Sequence, residues 1–306
     1  MKQNSNHIMM VRPASFGFNT ETATNNAFQS QVDLSNDAVQ AKALEEFDQF
    51  VEKLRANDIN VLVIEDSKNP PKPDAIFPNN WFCTLDNDVV YLFPMFAPNR
   101  RIERRPEILE EIAQHFQIKE TIDWSASENK NEFLEGTGSI IFDHENKLSY
   151  ACLSERTDKS LLEKYCQSIQ YQAIAFHSSD ENNFPIYHTN VMLHIGKDYA
   201  VVCLESIKDE QEKAFLIQSF AKTNHQIIDI TLAQVQAFAG NMLQVATNKG
   251  KLVTLMSQKS LDSLTSQQIS DISTHSQILP ISIPTIETIG GGSVRCMMAE
   301  LFLTSK

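Results

Sequence analysis

A helix-like stretch that runs into a strand-like stretch, followed by a hairpin, recurs five times along these 306 residues. The first such step runs from Asn36–Asn57 into NVLVIE at Asn60–Glu65. The next run from Arg104–Phe116 into Glu120–Trp124 and from Asp158–Gln167 into Tyr171–Phe176. The last two run from Asp209–Thr223 into His225–Ile230 and from Gln267–His275 into Gln277–Ile283. The change of apolar period from 3.6 to 2 within each step marks a helix followed by a strand. Between the steps lie WFCTL-DND-VVYLF, SIIFD-HENK-LSYAC, MLHI-GKD-YAVVCL and MLQVA-TNKG-KLVTLM, each with turn residues between two strand-like arms. A fifth arm is visible in CMMAELFL at the C-terminus, and His7–Val11 is expected to partner it and close a ring. No Pro/Gly/Ser-rich linker interrupts the series. The pattern predicts an α/β fold of one domain, residues 1–306, built as five ββαβ units around a pseudo-fivefold axis. An open α/β sheet would explain the helix–strand alternation but not the repeated hairpins.

Composition sets limits on partners. Hydrophobic residues make up 42% and charged residues 21% of the chain, as in a globular protein able to bury a core. The formal net charge of -13 argues against nucleic acid or an anionic membrane surface, and requires a local cationic pocket for any anionic substrate. No run of eighteen apolar residues occurs, and the N-terminus lacks the apolar segment of a signal peptide. The five cysteines, Cys83, Cys152, Cys166, Cys203 and Cys296, form an odd set without a CxxC pair. That speaks for reduced thiols in a cytoplasm and against a zinc site. Four of them are expected to be buried and inert.

The segment before the first arm of each hairpin is unusually polar. In order, these segments contain Asn79–Asn80, Glu135 with GTG, His188 with Thr189–Asn190, Gly240–Asn241, and Gly290–Gly292 leading to Cys296. In a radial arrangement, equivalent positions meet at the centre. A cysteine, a histidine and a glutamate would then supply a nucleophile, its acid/base and the group that orients it. The plain reading of a lone cysteine in an apolar run is core packing. The glycines before Cys296 weigh against it, because they allow close backbone approach to a ligand.

The motifs FLEGTGSIIF, YHTNVMLHIG, FAGNML and GGGSVRCMMAE resemble the guanidino-group-modifying (pentein) superfamily. Its members include arginine deiminases, dimethylarginine hydrolases and amidinotransferases, and the likeness runs from MVRPASFGFN to the C-terminus. The resemblance implies a five-unit α/β-propeller with Cys296 as nucleophile, His188 as general acid/base and Glu135 as its partner. PDAIFPNNWF together with MFAPNRRIERRPEIL is most similar to the citrulline-utilisation hydrolases. In the deiminases, F-x-x-D and H-x-D stand where this chain has Phe77–Asn80 and His188–Asn190. Amides both donate and accept, so Asn80 and Asn190 suit a neutral ureido group better than the all-donor guanidinium. Asp74 nearby can still hold a cation.

The expected reaction is hydrolysis of citrulline to ornithine, ammonia and carbon dioxide through a covalent adduct on Cys296. His188 as imidazolium, and Arg295, would favour the thiolate. Asn241 is a further substrate-binding candidate, Trp81 a cover for the pocket, and Arg12 the partner of the substrate carboxylate. The pair Arg100–Arg101 is a second choice for that role, with a solvent-facing charge run as its plain reading. No metal or organic cofactor is required, and a homo-oligomer is possible. The alternatives are an arginine or dimethylarginine deiminase-type hydrolase, an amidinotransferase, and a non-catalytic binding module like the propeller of a ribosome-associated factor.

Overall fold

The computed structural model describes residues 1–306. The strands are β1 (His7–Arg12), β2 (Asn60–Glu65), β3 (Phe82–Leu85), β4 (Val89–Leu92), β5 (Glu120–Asp123), β6 (Ile141–Asp143), β7 (Leu148–Cys152) and β8 (Gln172–Phe176). They continue with β9 (Leu193–Ile195), β10 (Tyr199–Val202), β11 (Gln226–Asp229), β12 (Leu243–Ala246), β13 (Leu252–Ser257), β14 (Gln277–Ile281) and β15 (Ala299–Glu300). They form five separate three-stranded sheets: β3-β4-β5, β6-β7-β8, β9-β10-β11, β12-β13-β14 and β15-β1-β2. In each, a hairpin pairs antiparallel and the strand after the helix adds in parallel, as with Leu92 opposite Phe82 on one side and Asp123 on the other. The fifth sheet joins both ends of the chain. Ile8 lies opposite Glu300 and Met9 opposite Ala299, while β1 runs parallel to β2 over its whole length.

The crossover helices span Asn36–Ala56, Pro106–His115, Lys159–Ser168, Glu210–Lys222 and Ser266–His275. Their starts follow local chemistry. The Asp158 carboxylate accepts from Leu161 N, that of Asp209 from Gln211 N and Glu212 N, and Thr265 makes a capping box with Gln268. Each helix lays an apolar stripe on the sheets, as Ala43, Phe47, Phe50 and Leu54 do from the first.

Four apolar clusters join neighbouring sheets. One packs Met9 and Val11 of the fifth sheet against Phe82 and Val90 of the first. A second joins Leu85 and Tyr91 to Phe142 and Ala151 of the second sheet. A third runs from Tyr150 and Ile174 through Leu193 and Val201 to Met256 in the fourth. The last connects Val245 and Leu255 back to Ile8 and Met10. Trp81 belongs to the first of these clusters and is buried there, not poised over a pocket. No helix is long and apolar enough to cross a membrane.

Candidate active site

A short 3₁₀ turn precedes the first strand of three of the hairpins, at Pro78–Asn80, Thr189–Val191 and Val294–Met297, and a short helical turn at Gly136–Ser139 precedes a fourth. These turns bring the polar segments together. Asp74, Phe77, Asn80, Arg100, Arg156, Tyr187, His188, Gly290–Gly292 and Cys296 line one cavity of about 10 Å³, with Thr22 and Asn26 across it. That space holds one water.

The covering residues are tied down. Asn19 Nδ2 donates to Asp74 Oδ2 at 2.7 Å, and Thr22 Oγ1 donates to the same oxygen at 3.1 Å. Asn26 Nδ2 donates to Gly291 O at 3.4 Å. An amino acid is far larger than the cavity, so binding requires this segment to move. On its outer side is a cavity of about 830 Å³ that shares Asn26 and Tyr187 with the inner one.

His188 Nε2 lies 2.7 Å from Glu135 Oε2, and Arg156 Nη1 is 3.5 Å from the same oxygen. Burial alone would raise the Glu135 carboxyl, but Arg156 and His188 outweigh it and bring it down to about 2. A carboxylate only accepts, so Nε2 carries the ring proton and Nδ1 is left as the basic nitrogen. Burial pushes the imidazole down to about 4 despite the bond it donates to Glu135. The imidazolium expected from the sequence is therefore replaced by a neutral base. Cys296 is buried among these groups, and its sulfur accepts from Asn190 Nδ2 at 3.3 Å and Asn241 Nδ2 at 3.2 Å. Burial pushes the Cys83 thiol up to about 12 and those of Cys166 and Cys203 to about 11, as inert thiols require.

Asp74 is buried with Oδ2 bonded to the covering segment and Oδ1 without a partner. Burial raises its pKa against the pull of Arg100, whose Nε is 3.8 Å away. Asn80 Oδ1 accepts from Arg100 Nη1 at 2.6 Å, and Arg100 Nη2 pairs with Glu103 at 2.9 Å.

Several expected roles move. Arg12 donates through Nε and Nη2 to Asp48, both at 2.7 Å, and does not reach the cavity. Being near the end of β1, it is held at the rim by that pair of bonds and by Glu65. Arg100, in the pair that is the second choice for the carboxylate, is buried at the cavity instead of facing solvent. Arg101 is the outward member of the pair, bonded to Met95 O and Glu128. Asn190 and Asn241 touch the sulfur and not the cavity itself. Arg295 turns away from it, donating to Met298 O and pairing with Glu300. Sequence reasoning missed Arg156 and Tyr187. Arg156 had a usable signal: it follows the second arm of its hairpin, as Arg100 follows the second arm of the hairpin before it.

Mixed three-stranded sheets that carry their polar turns into one pocket are the architecture of the guanidino-group-modifying superfamily, and the protein is a member. Residues 12–303 match the family described as "N,N dimethylarginine dimethylhydrolase, eukaryotic", and the chain belongs to that family. No curated protein sequence matches the chain at a significant level.

Among solved structures the fold is similar to that of ArgZ, an arginine dihydrolase from the ornithine-ammonia cycle in Cyanobacteria. The TM-score is 0.75 at 14% identity, over 96% of this chain and 40% of that one. The chain thus spans less than half of full-length ArgZ, but it covers 99% of an ArgZ N-terminal domain bound to substrate, with TM-score 0.74, 14% identity and 97% of this chain matched. Dimethylarginine dimethylaminohydrolase, as its adduct with S-methyl-L-thiocitrulline, gives a TM-score of 0.65 at 15% identity, over 97% of this chain and 100% of that one.

Proposed function

We propose that the protein hydrolyses the guanidino carbon of an arginine-type amino acid, with Cys296 as nucleophile, His188 as acid/base and Glu135 as its orienting partner. The observation that carries this reading is the unpartnered Oδ1 of Asp74, a buried acceptor in the same cavity as Cys296 and His188. A guanidinium has only donors and would satisfy it with a charge-assisted bond. Arginine dihydrolase and dimethylarginine hydrolase among the relatives support the same substrate class, so the guanidino reading takes precedence over the citrulline expectation.

The sulfur of Cys296 bonds to the trigonal carbon, and its proton passes to neutral His188. The C–N bond then breaks as His188 returns the proton to the leaving ammonia, methylamine or dimethylamine. His188 next deprotonates a water that adds to the carbon, and the S–C bond breaks to leave a ureido product and free thiol. A second round on the ureido group would give ornithine, ammonia and carbon dioxide. Asp74 and Asn80 hold the guanidinium; Arg100 and Arg156, the cations of the cavity, replace Arg12 as candidates for the substrate carboxylate.

A ureido substrate is the second reading. The observation that favours it is an amide, Asn80, in the cavity wall where the resemblance implies a carboxylate. The five sheets are read as blades of one closed propeller in a single domain. The apolar clusters that run from the fifth sheet through all the others and back support that arrangement.

The test is incubation of purified protein with arginine, dimethylarginines and citrulline, assaying citrulline, ornithine and released amine. Release from a guanidino substrate, lost in Cys296→Ala, is expected. Turnover of citrulline alone would favour the second reading, and turnover persisting in Cys296→Ala would remove the nucleophile assignment.

A further inference from the structure

We propose that Asn190 and Asn241 act on the nucleophile and not on the substrate: their two amide N–H groups cradle the Cys296 sulfur and stabilise its thiolate. The inference rests on the reading of Cys296 as nucleophile and adds how that sulfur is activated. Both amides are fully buried, and they stand in the polar segments just before β9 and β12 of successive units. For Asn241 the other contacts fix which end faces the sulfur.

Asn241 Oδ1 accepts from Arg295 N at 2.9 Å, so Nδ2 is directed at Cys296 Sγ and at Asn190 O, the latter at 2.9 Å. Asn190 Nδ2 points at the sulfur, while its Oδ1 is buried without a partner. Gly240 keeps the two segments in contact. A Cβ there would stand 2.4 Å from Val191 O, so any side chain would push Asn241 away from Asn190.

Two donors on one sulfur favour its charged form. A neutral thiol accepts weakly, whereas a thiolate makes charge-assisted bonds of about twice the strength of neutral ones. Hydrogen bonds to the charged form lower the pH at which it appears. The other expected sources of stabilisation are weak in this geometry. Arg295 faces Met298 O and Glu300, and His188, bonded to Glu135, is a neutral ring. Leaving Asn190 Oδ1 unsatisfied costs free energy, which is understandable if the Nδ2 end is the one that matters.

The thiolate is read directly from its ultraviolet absorbance as a function of pH, taken as the difference between the protein and its Cys296→Ala form. This isolates Cys296 from the other four thiols and needs no turnover. Asn190→Leu removes one donor while keeping the same number and branching of side-chain heavy atoms. Asn241→Asp keeps the acceptor for Arg295 N but replaces the second donor with a negative charge. Each should move the thiolate midpoint upward by about one pH unit, so that about tenfold less thiolate is present at a given pH.

Circular dichroism identifies the variants that keep the native fold, and Asn190→Asp serves if Asn190→Leu does not. An unmoved midpoint in a folded variant overturns the proposal, as does an unmoved midpoint with a raised KM, which would make Asn190 a substrate contact. Turnover surviving in Cys296→Ala would instead sink the nucleophile reading on its own evidence, whatever the midpoint shows.

Discussion

At the scale of single residues, the buried histidines make the folded state sensitive to acid. His188 lies at about 4, and His144 and His194 at about 3, all lowered first by burial from an ordinary value of 6.5. In the unfolded chain they charge as pH falls through 6.5; in the folded protein they stay neutral until much lower. Stability is therefore complete above about 6.5 and is lost as pH falls towards their folded values. Glu135 adds to the loss lower down, between 4.5 and about 2. Near pH 5 each such histidine contributes a slope approaching about 1.4 kcal/mol per pH unit. Urea titrations over that range should show His188→Gln with a slope smaller by about that amount. An unchanged slope would mean His188 is already charged in the fold.

The sequence made His188, Glu135 and Cys296 legible because they share a position in successive repeats. It could not reveal the charge state of His188, which depends on how deeply the ring is buried. Nor could it tell that Asn190 faces a sulfur, since the partner is 106 residues away.

At the scale of elements, the turn Gly136–Ser139 sits where three polar segments meet. Thr137 Oγ1 donates to Asn79 O, Ser139 Oγ to Arg156 O, and Ser139 O accepts from Thr189 Oγ1. Its two glycines serve different purposes. Gly136 has φ +45, and a Cβ there would lie 2.4 Å from Asn79 O, a backbone atom that cannot easily give way. A Cβ on Gly138 would meet Asn80 Nδ2 at 2.5 Å and the His188 ring at 2.8 Å, both side chains. Gly136→Ala should therefore cost stability, at least about 1 kcal/mol from the positive φ alone. Gly138→Ala should fold but lose roughly 10²-fold in kcat/KM, the scale of an ångström's displacement at a reacting centre. Thermal melts beside steady-state kinetics separate the two; equal losses of both kinds in both variants would refute the division.

The hairpins and crossover strands were legible at this scale because their alternation and turn residues are local. Observed ends of the crossover helices and strands fall within a residue or two of the expected ones, as at Asn60–Glu65 and Gln172–Phe176. The helical turns that open the hairpins were not legible. Three or four residues carry no periodicity, and their shape follows from the contacts they make.

At the scale of the whole molecule, one of the five sheets is assembled from both ends of the chain. β15 is only two residues long, yet Ser5 Oγ donates to Leu301 O at 2.6 Å and Leu301 N to His7 O at 2.9 Å just beyond it. The tail also ties into the first sheet: Thr304 N donates to Asp88 Oδ1 and Gln117 N to Thr304 O, both at 2.8 Å. Ala299, Leu301 and Leu303 are buried in the cluster that joins the fifth sheet to the first. The two leucines alone represent about 3–6 kcal/mol of burial, against a total stability of about 5–15 kcal/mol for a folded protein. Ending the chain after Met298 removes both leucines, the antiparallel partner of β1 and the tie to Asp88. It leaves every residue of the cavity in place. If the end-to-end sheet holds the units together, the shortened protein should lose its cooperative melt and most of its native circular dichroism, although no cavity residue has been touched. A sharp melt at the wild-type temperature would show that four units and β1-β2 suffice, and the closed-propeller reading would fall with it.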